Sequence, residues 1–555
     1  MSIKHLLIAI TTVFIFVSCN ESWLSEKPPH LITTETLYTN LAGFETGLNG
    51  LYGMVRMERE GRTGANDLIA DMFMNGVDNL VTNHRDVGFS MICERWGDLN
   101  NPENAHYIGV FEWLYSIINA ANTIINQAEK KDNIDWSGGG FPAEENKNRV
   151  IAEAKAIRGW AYRHLTYCWG DVPLSLEESL GSTIKTNWTR TPTADVRKQI
   201  ISDFLFAEKY IPVEGSLQGR ITKGAVQHYL SEMYLVKNNP DSSLYWADQV
   251  INNPAYQLIT SRYGVKSNQP GVPFMDMFYE GNENRNQGNT EALWVFQFAI
   301  FTNGGGKCLM RRHHGSRYAE INISGVRPLQ DTYERGGRGR SRMSFSKWAL
   351  ELYEPQDDRG SHYAIRKFFI LNNAEDNAPY PADRLPPGYQ YGDTIWLDWS
   401  NDITYETRAR LNWPFSNKTN GTDPSNVSDS YQYNDQIYLR LADTYLLKAE
   451  AQFKLGLSEE AANTINIIRR RSNASDITAG DVNIDFILDE RSRELILEEH
   501  RRYTLIRTHK LLERTRAYNN NGGGLISERD TIFPIPQPVI DANISQSMPQ
   551  NPGWN

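Results

Sequence analysis

The chain has 555 residues, 22% of them charged, with 67 acidic against 57 basic side chains and a formal charge of −10. That balance argues against a general nucleic-acid binder, and four widely spaced cysteines exclude a dense disulfide framework and offer no CxxC metal site. Aromatics are the outlier: 14 Trp and 27 Tyr exceed what a core requires, so some are expected on a binding surface.

The first element is an export signal. Lys4 supplies a positive start, Leu6 to Val17 an apolar run of 12 residues, and Ser18 a small residue before Cys19. A spanning helix needs about 20 apolar residues, so this run is too short to cross a bilayer. Residues 1–18 therefore read as a lipoprotein signal peptide, cleaved before a Cys19 that carries acyl chains. An ordinary signal peptide is the alternative, and Phe16, where bacterial lipoprotein signals usually carry Leu, weighs toward it. The mature chain, 19–555, loses Lys4 and carries −11. Beyond the leader no stretch approaches the length of a transmembrane helix.

Helical periodicity follows. FEWLYSIINAANTIINQAEK predicts one helix. AEAKAIRGWAYRHLTYCWGDVPL predicts another, with Ala154, Ile157, Ala161, Leu165 and Cys168 on one face, and TPTADVRKQIISDFLFAEKYIP can pair with it. In TKGAVQHYLSEMYLVKNNPDSSLYWADQVINN, Ala225, Tyr229, Met233 and Val236 line one helix and Leu244, Ala247 and Ile251 a second. The strongest signal comes late: Tyr438, Leu441, Ala442, Tyr445, Leu446, Ala449 and Phe453 form one stripe, and Gly456 stops it. Ser458 can cap a partner helix with Glu459 and Glu460 in its first turn and Arg469 to Arg471 in its last. Each unit resembles a tetratricopeptide repeat, but without a fixed period. Residues 253–346 and 372–436 are long insertions rich in Gly, Pro, Asn and Asp, with a strand-like LWVFQF at Leu293 to Phe298. The expected fold class is mainly α, with tetratricopeptide-like helical pairs forming a right-handed superhelical scaffold, long irregular loops and a few short strands.

Four fragments in order carry a family resemblance: WGDVPL after the AEAKAIRGWAY helix, IYLRLADTYLLKAEA, LDERSRELILEEHRRY, and the closing FPIPQ with QNPGW. Together they resemble the SusD/RagB family of outer-membrane lipoproteins, over a span from Cys19 to Trp554. The resemblance implies a surface-exposed, noncatalytic protein over a SusC-like TonB-dependent transporter, capturing a nutrient that is usually an oligosaccharide. Glu21, close behind Cys19, resembles the signal that sends such lipoproteins to the outer face. Peptide capture, as in RagB-like members, and a scaffold for protein partners are the alternatives.

The residues agree with a binding role. Sugar-cleaving enzymes need a positioned pair of carboxylates, yet the densest acid cluster, Asp489, Glu490, Glu494, Glu498 and Glu499, is interleaved with arginines. Asp489 with Arg493 and Glu498 with Arg502 read as i,i+4 pairs on one structural helix. His313 and His314 are adjacent and do not face one ion, so no metal ligands are assigned; no cofactor is required, although the acidic loops have room for a structural calcium ion.

A pyranose offers apolar faces to aromatic rings and hydroxyls to Asn, Asp and Arg. Three groups fit that chemistry. Arg85, Trp96, Asp98, Asn100 and Asn101 lie in one short stretch, in the region where SusD-like proteins commonly place part of their glycan site. Trp96→Ala is expected to weaken capture without unfolding the protein. Between Lys307 and Lys347, ten Lys and Arg, including Arg311, Arg312 and Arg317, face three acids, a local +7. This predicts an anionic glycan, with an internally paired loop as the alternative. Tyr389, Tyr391, Trp396 and Trp399 form an aromatic group that is either a stacking platform or loop packing.

Overall fold

The computed structural model describes residues 33–62, 67–84, 89–97, 99–179, 185–371, 385–407 and 409–554. Cys19, Arg85 and Asp98 lie outside the described residues.

Helix α1 (Leu41–Glu60) starts where the Asn40 side chain accepts from the Gly43 N–H at 3.0 Å. It packs against α2 (Ala105–Lys130) and α3 (Ala143–Cys168), and the ladder continues through α4 (Thr193–Tyr210), α5 (Lys223–Val236) and α6 (Pro240–Ile251), each packed on its predecessor. The chain then leaves for almost 200 residues. It returns as α7 (Leu441–Lys454), which stacks on α6 and continues the ladder with α8 (Ser458–Arg471) and α9 (Ile484–Leu495). The result is mainly helical with short two-stranded sheets, as expected. By length and composition α2 is apolar enough to cross a membrane, but 61% of its most apolar window is buried, as in a core helix.

Two boundaries differ from the periodicity. The stripe beginning at Tyr438 is not all helix: Gln436–Arg440 is a strand pairing antiparallel with Ala292–Phe296, and the helix starts at Leu441. Long-range pairing of aromatic and β-branched residues outweighs local helical spacing there. Ser458 is the first residue of α8 and makes no side-chain cap. The strand pair is locked into the scaffold, since the Trp160 Nε1–H donates to the Tyr438 hydroxyl at 3.1 Å and that hydroxyl donates to Glu58 at 2.7 Å. Cys93, Cys168 and Cys308 are free and fully buried, and burial pushes each thiol up to about 12.

The acid-arginine run is not one helix. α9 ends at Leu495, Leu497 takes a left-handed φ of 67°, and α10 (Arg501–Arg507) begins afresh. Neither expected i,i+4 pair closes: the break separates Glu498 from Arg502, while Asp489, on the same helix as Arg493, is drawn to Arg514. Asp489 meets Arg514 at 2.5 Å; Glu498 meets Arg440 at 2.6 Å and Lys418 at 2.5 Å; Arg502 stacks 4.2 Å from the Phe533 ring. The acids instead form a buried ionic spine. Glu490 binds Arg359 at 2.7 Å and Arg469 at 2.8 Å, while Glu494 gathers Arg359, Arg440 and Arg471. These groups tie the inserted segments to the helices.

A satellite core of Tyr318, Leu329, Phe369, Leu371, Ile395, Leu397 and Phe415 lies within the insertions. Its lid is the antiparallel pair Phe368–Ile370 and Thr394–Trp396, in register Phe368 to Trp396 and Phe369 to Ile395. Period-two alternation turns Phe369 and Ile395 inward and leaves Phe368 and Trp396 on the outer face.

Candidate functional site

The described N-terminal candidates, Trp96, Asn100 and Asn101, are engaged within the fold. Trp96 is 2% exposed, sits edge-on to Phe89 at 6.0 Å, and lies beneath the Arg502 guanidinium at 5.7 Å. Its ring is not a stacking platform, because the turn after residues 89–93 folds it into the main core with a left-handed φ of 46°. Asn100 is also buried: its Nδ2 donates to Asp530 at 2.6 Å and its Oδ1 accepts from the Tyr107 hydroxyl. The Asn101 side chain accepts from the Glu103 N–H at 3.0 Å, shaping the turn before α2.

The basic insertion divides into inner and outer arginines. Arg311 is fully buried and donates to the carbonyls of Arg335 (2.9 Å) and Gly337 (2.7 Å) and to Asn420 Oδ1 (3.0 Å), with its guanidinium 4.7 Å over Phe415. Burial pushes its pKa down to about 10. It is a brace under the loop, unavailable to a ligand, and Arg335 and Arg342 are likewise buried. Arg312, Arg317, Arg338 and Arg340 are half-buried at the surface.

Backbone hydrogen bonds bring the outer group together. The Arg340 N–H donates to Arg312 O at 2.8 Å, Ser341 N–H to Gly315 O at 2.8 Å, and Arg317 N–H to Arg410 O at 2.9 Å; the Arg410 Nη2 reaches Arg340 O at 3.1 Å. The run Gly336-Gly337-Arg338-Gly339-Arg340 makes this possible. A Cβ on Gly339 would lie 1.9 Å from Gly315 O, and Gly336 holds a φ of 77°. Burial lowers the Arg340 pKa, and the neighbouring charges of Arg338, Arg312 and Arg317 lower it further, as expected of cations crowded on one face. Beside them opens a groove of about 520 Å³ lined by Ala319, Val326, Arg327, Gln330, Asp331 and Ser428. Arg338 and Arg340 belong to the ten basic residues counted from the sequence between Lys307 and Lys347, whereas Arg410 was missed. The alternation of Arg with Gly at 336–340 was the available signal for the first two.

The third group is split. Trp396 is 63% exposed and packs on Phe368 at 5.0 Å, while Tyr391 is exposed as well. Trp399 instead packs half-buried against the main core. The strand pair that carries Trp396 and Phe368 covers the satellite core, on whose rings the inner Arg311 and Arg335 stack. Arg95 and Tyr405, in contact at 2.6 Å, add another polar-aromatic pair at the surface that sequence reading missed.

Glu58, His164 and His500 are the described residues closest to a metal-ligand set. Arg163 Nη1 lies 3.2 Å from His500 Nδ1, which leaves Nε2 to donate to Glu58 at 3.0 Å. His500 thus hydrogen-bonds Glu58, while His164 meets the Tyr503 hydroxyl through Nδ1 at 2.7 Å and keeps a buried Nε2 without a hydrogen-bond partner, and burial lowers the pKa of both histidines. A separate apolar cleft of about 400 Å³, lined by Phe111, Tyr115, Trp188, Val539 and Met548, belongs to the helical scaffold.

Comparison with known proteins accounts for this architecture. Residues 22–235 match the family described as "Starch-binding associating with outer membrane", and residues 290–554 match the family described as "SusD family". The chain belongs to the SusD family. SusD-like protein P25 of Formosa agariphila is 25% identical over 92% of this chain and 91% of its own length. Among solved structures, a laminarin binding SusD-like protein superposes with a TM-score of 0.68 at 20% identity, covering 93% of this chain and all of the other. Surface glycan-binding protein A from Bacteroides thetaiotaomicron gives 0.65 at 19%, again covering 93% and 100%. SusD-like proteins of this kind are non-catalytic.

Proposed function

We propose that this chain is a lipid-anchored, surface-exposed protein that captures an anionic oligo- or polysaccharide on its arginine face and delivers it to a SusC-like TonB-dependent transporter. Glycan binding at the outer membrane follows from the family, whose matched description associates with that membrane and whose structural relatives include a laminarin-binding protein. The anionic preference rests on one observation, the convergence of Arg312, Arg317, Arg338 and Arg340 beside an open groove in a protein of formal charge −10. Guanidinium forks pair bidentately with carboxylates and sulfates, and the exposed Trp396 ring offers an apolar face for a sugar ring.

Calorimetry tests this with oligogalacturonate, a sulfated galactan oligosaccharide and neutral laminari-oligosaccharides. Arg340→Ala is expected to weaken binding of the two anionic probes roughly tenfold, the loss of one charge-assisted contact, and to leave neutral probes unaffected. Affinity for the anionic probes should fall as salt rises toward 0.15 M, where exposed charges are screened over about 8 Å. Equal affinity for neutral and anionic glycans, insensitive to salt, would overturn the anionic reading. Tight binding from a peptide library with no glycan binding would replace the sugar with a peptide.

A further inference from the structure

We infer that Glu320 is a built-in stand-in for the ligand's anionic group: it occupies the arginine cradle when no glycan is bound, and an incoming carboxylate or sulfate displaces it. This rests on the anionic-glycan reading above.

Glu320 closes the single turn Tyr318–Glu320, directly after Arg317. Its Oε1 accepts from Arg317 Nε at 2.9 Å and from Arg338 Nη2 at 3.4 Å. Both arginines therefore converge on one oxygen. Among the described residues no hydrogen bond reaches Oε2, so neither guanidinium finds the two-oxygen partner that its planar fork matches best. Against burial, which would raise it, these arginines hold the Glu320 carboxyl below its ordinary value. The group is thus an anion in an anion site, but a poorly matched one.

The remaining charges are unbalanced. Arg338 lies 4.0 Å from Asp331, a long contact, and no carboxylate among the described residues pairs with Arg340. Arg340 Nε is buried without a hydrogen-bond partner. Glu320 is thus the one close carboxylate on Arg317 and Arg338, with Asp331 farther off, and Arg340 Nε keeps room for another acceptor. Glu320 is also accessible, with its side chain 23% exposed, and an ion pair of that exposure holds with only about 1 kcal/mol. A glycan acid that engages Arg317 and Arg338 with two oxygens and extends to Arg340 competes successfully. A neutral sugar has nothing to exchange for the carboxylate and leaves it in place. Glu320 thereby raises the threshold for weakly charged ligands and selects for those carrying a full negative charge.

Glu320→Gln keeps the side chain's size and removes its charge. It is expected to bind oligogalacturonate and the sulfated galactan oligosaccharide about three- to tenfold more tightly than the parent protein, the range set by losing a weak competing ion pair. Its salt dependence should be steeper, its thermal midpoint unchanged within a degree or two, and its affinity for laminari-oligosaccharides the same. Glu334→Gln, at an exposed acid of the same insertion, serves as a control for simple removal of negative charge from the neighbourhood, and an equal gain there would reduce the effect to general electrostatics and overturn the exchange. If the parent binds the anionic probes and Arg340→Ala weakens them, while Glu320→Gln binds no better, the stand-in role is wrong and the anionic-glycan reading survives. If neither parent nor Glu320→Gln binds either anionic probe at low salt, both fail together.

Discussion

Two tryptophans, Trp96 on a turn and Trp396 at the end of a short strand, have opposite environments and should respond oppositely to truncation. Trp96 fills a space between Phe89 and Arg502, so Trp96→Ala is expected to cost about 3–5 kcal/mol of stability, read as a lowered urea midpoint, with glycan affinity of the folded fraction unchanged. Trp396 is largely exposed, and Trp396→Ala should shift stability by no more than about 0.5 kcal/mol while weakening capture of glycans long enough to reach it. A stable Trp96→Ala with weakened binding would return that residue to the ligand site. The lesson for reading such loops is physical. Trp96 is covered by Phe89 close by and by Arg502, more than 400 residues away in sequence, and nothing in its own neighbourhood encodes the latter. The outward position of Trp396, in contrast, follows from alternation along a three-residue strand, although the short run hid that signal.

Among the elements, α9 has the largest energetic consequence. Glu490 and Glu494 lie on the buried face of α9 with Ile487, Leu488 and Leu495, and their arginines come from Arg359, Arg440, Arg469 and Arg471. Burial alone would raise the Glu490 carboxyl, but Arg359, Arg493 and Arg469 outweigh it and hold it down to about 2. Glu232, beside Arg163, and Asp443, beside Arg491, are held down to about 2 in the same way. A carboxylate depressed in the folded state contributes stability that is complete above its unfolded pKa and disappears as pH falls through the folded value. The urea midpoint is therefore expected to stay level from pH 7 to about 5 and to drop steeply between about 4.5 and 2. A midpoint level down to pH 3 would show that the spine adds little. The sequence reading took the cluster from Asp489 to Glu499 as structural but paired Asp489 with Arg493 and Glu498 with Arg502, since helical spacing reports only local neighbours.

At the scale of the molecule, the helical ladder was legible because each amphipathic stripe is local, and the family fragments added its order. The joining of α6 to α7 across the long insertions was not legible, nor was the pairing of residues 292–296 with 436–440, because both depend on contacts over 140 residues or more. The tether is tested at this scale too: Cys19→Ala should move the protein from the membrane to the soluble fraction, and firm retention would rule out acylation there. The three interior cysteines have a practical consequence. With their thiols pushed up to about 12 and sealed in the core, Cys93, Cys168 and Cys308 are chemically silent at neutral pH. A version beginning after Cys19 is thus a thiol-blank background, in which one cysteine introduced at Trp396 accepts a fluorophore at a single place and turns the outer aromatic face into an optical reporter of what settles on it.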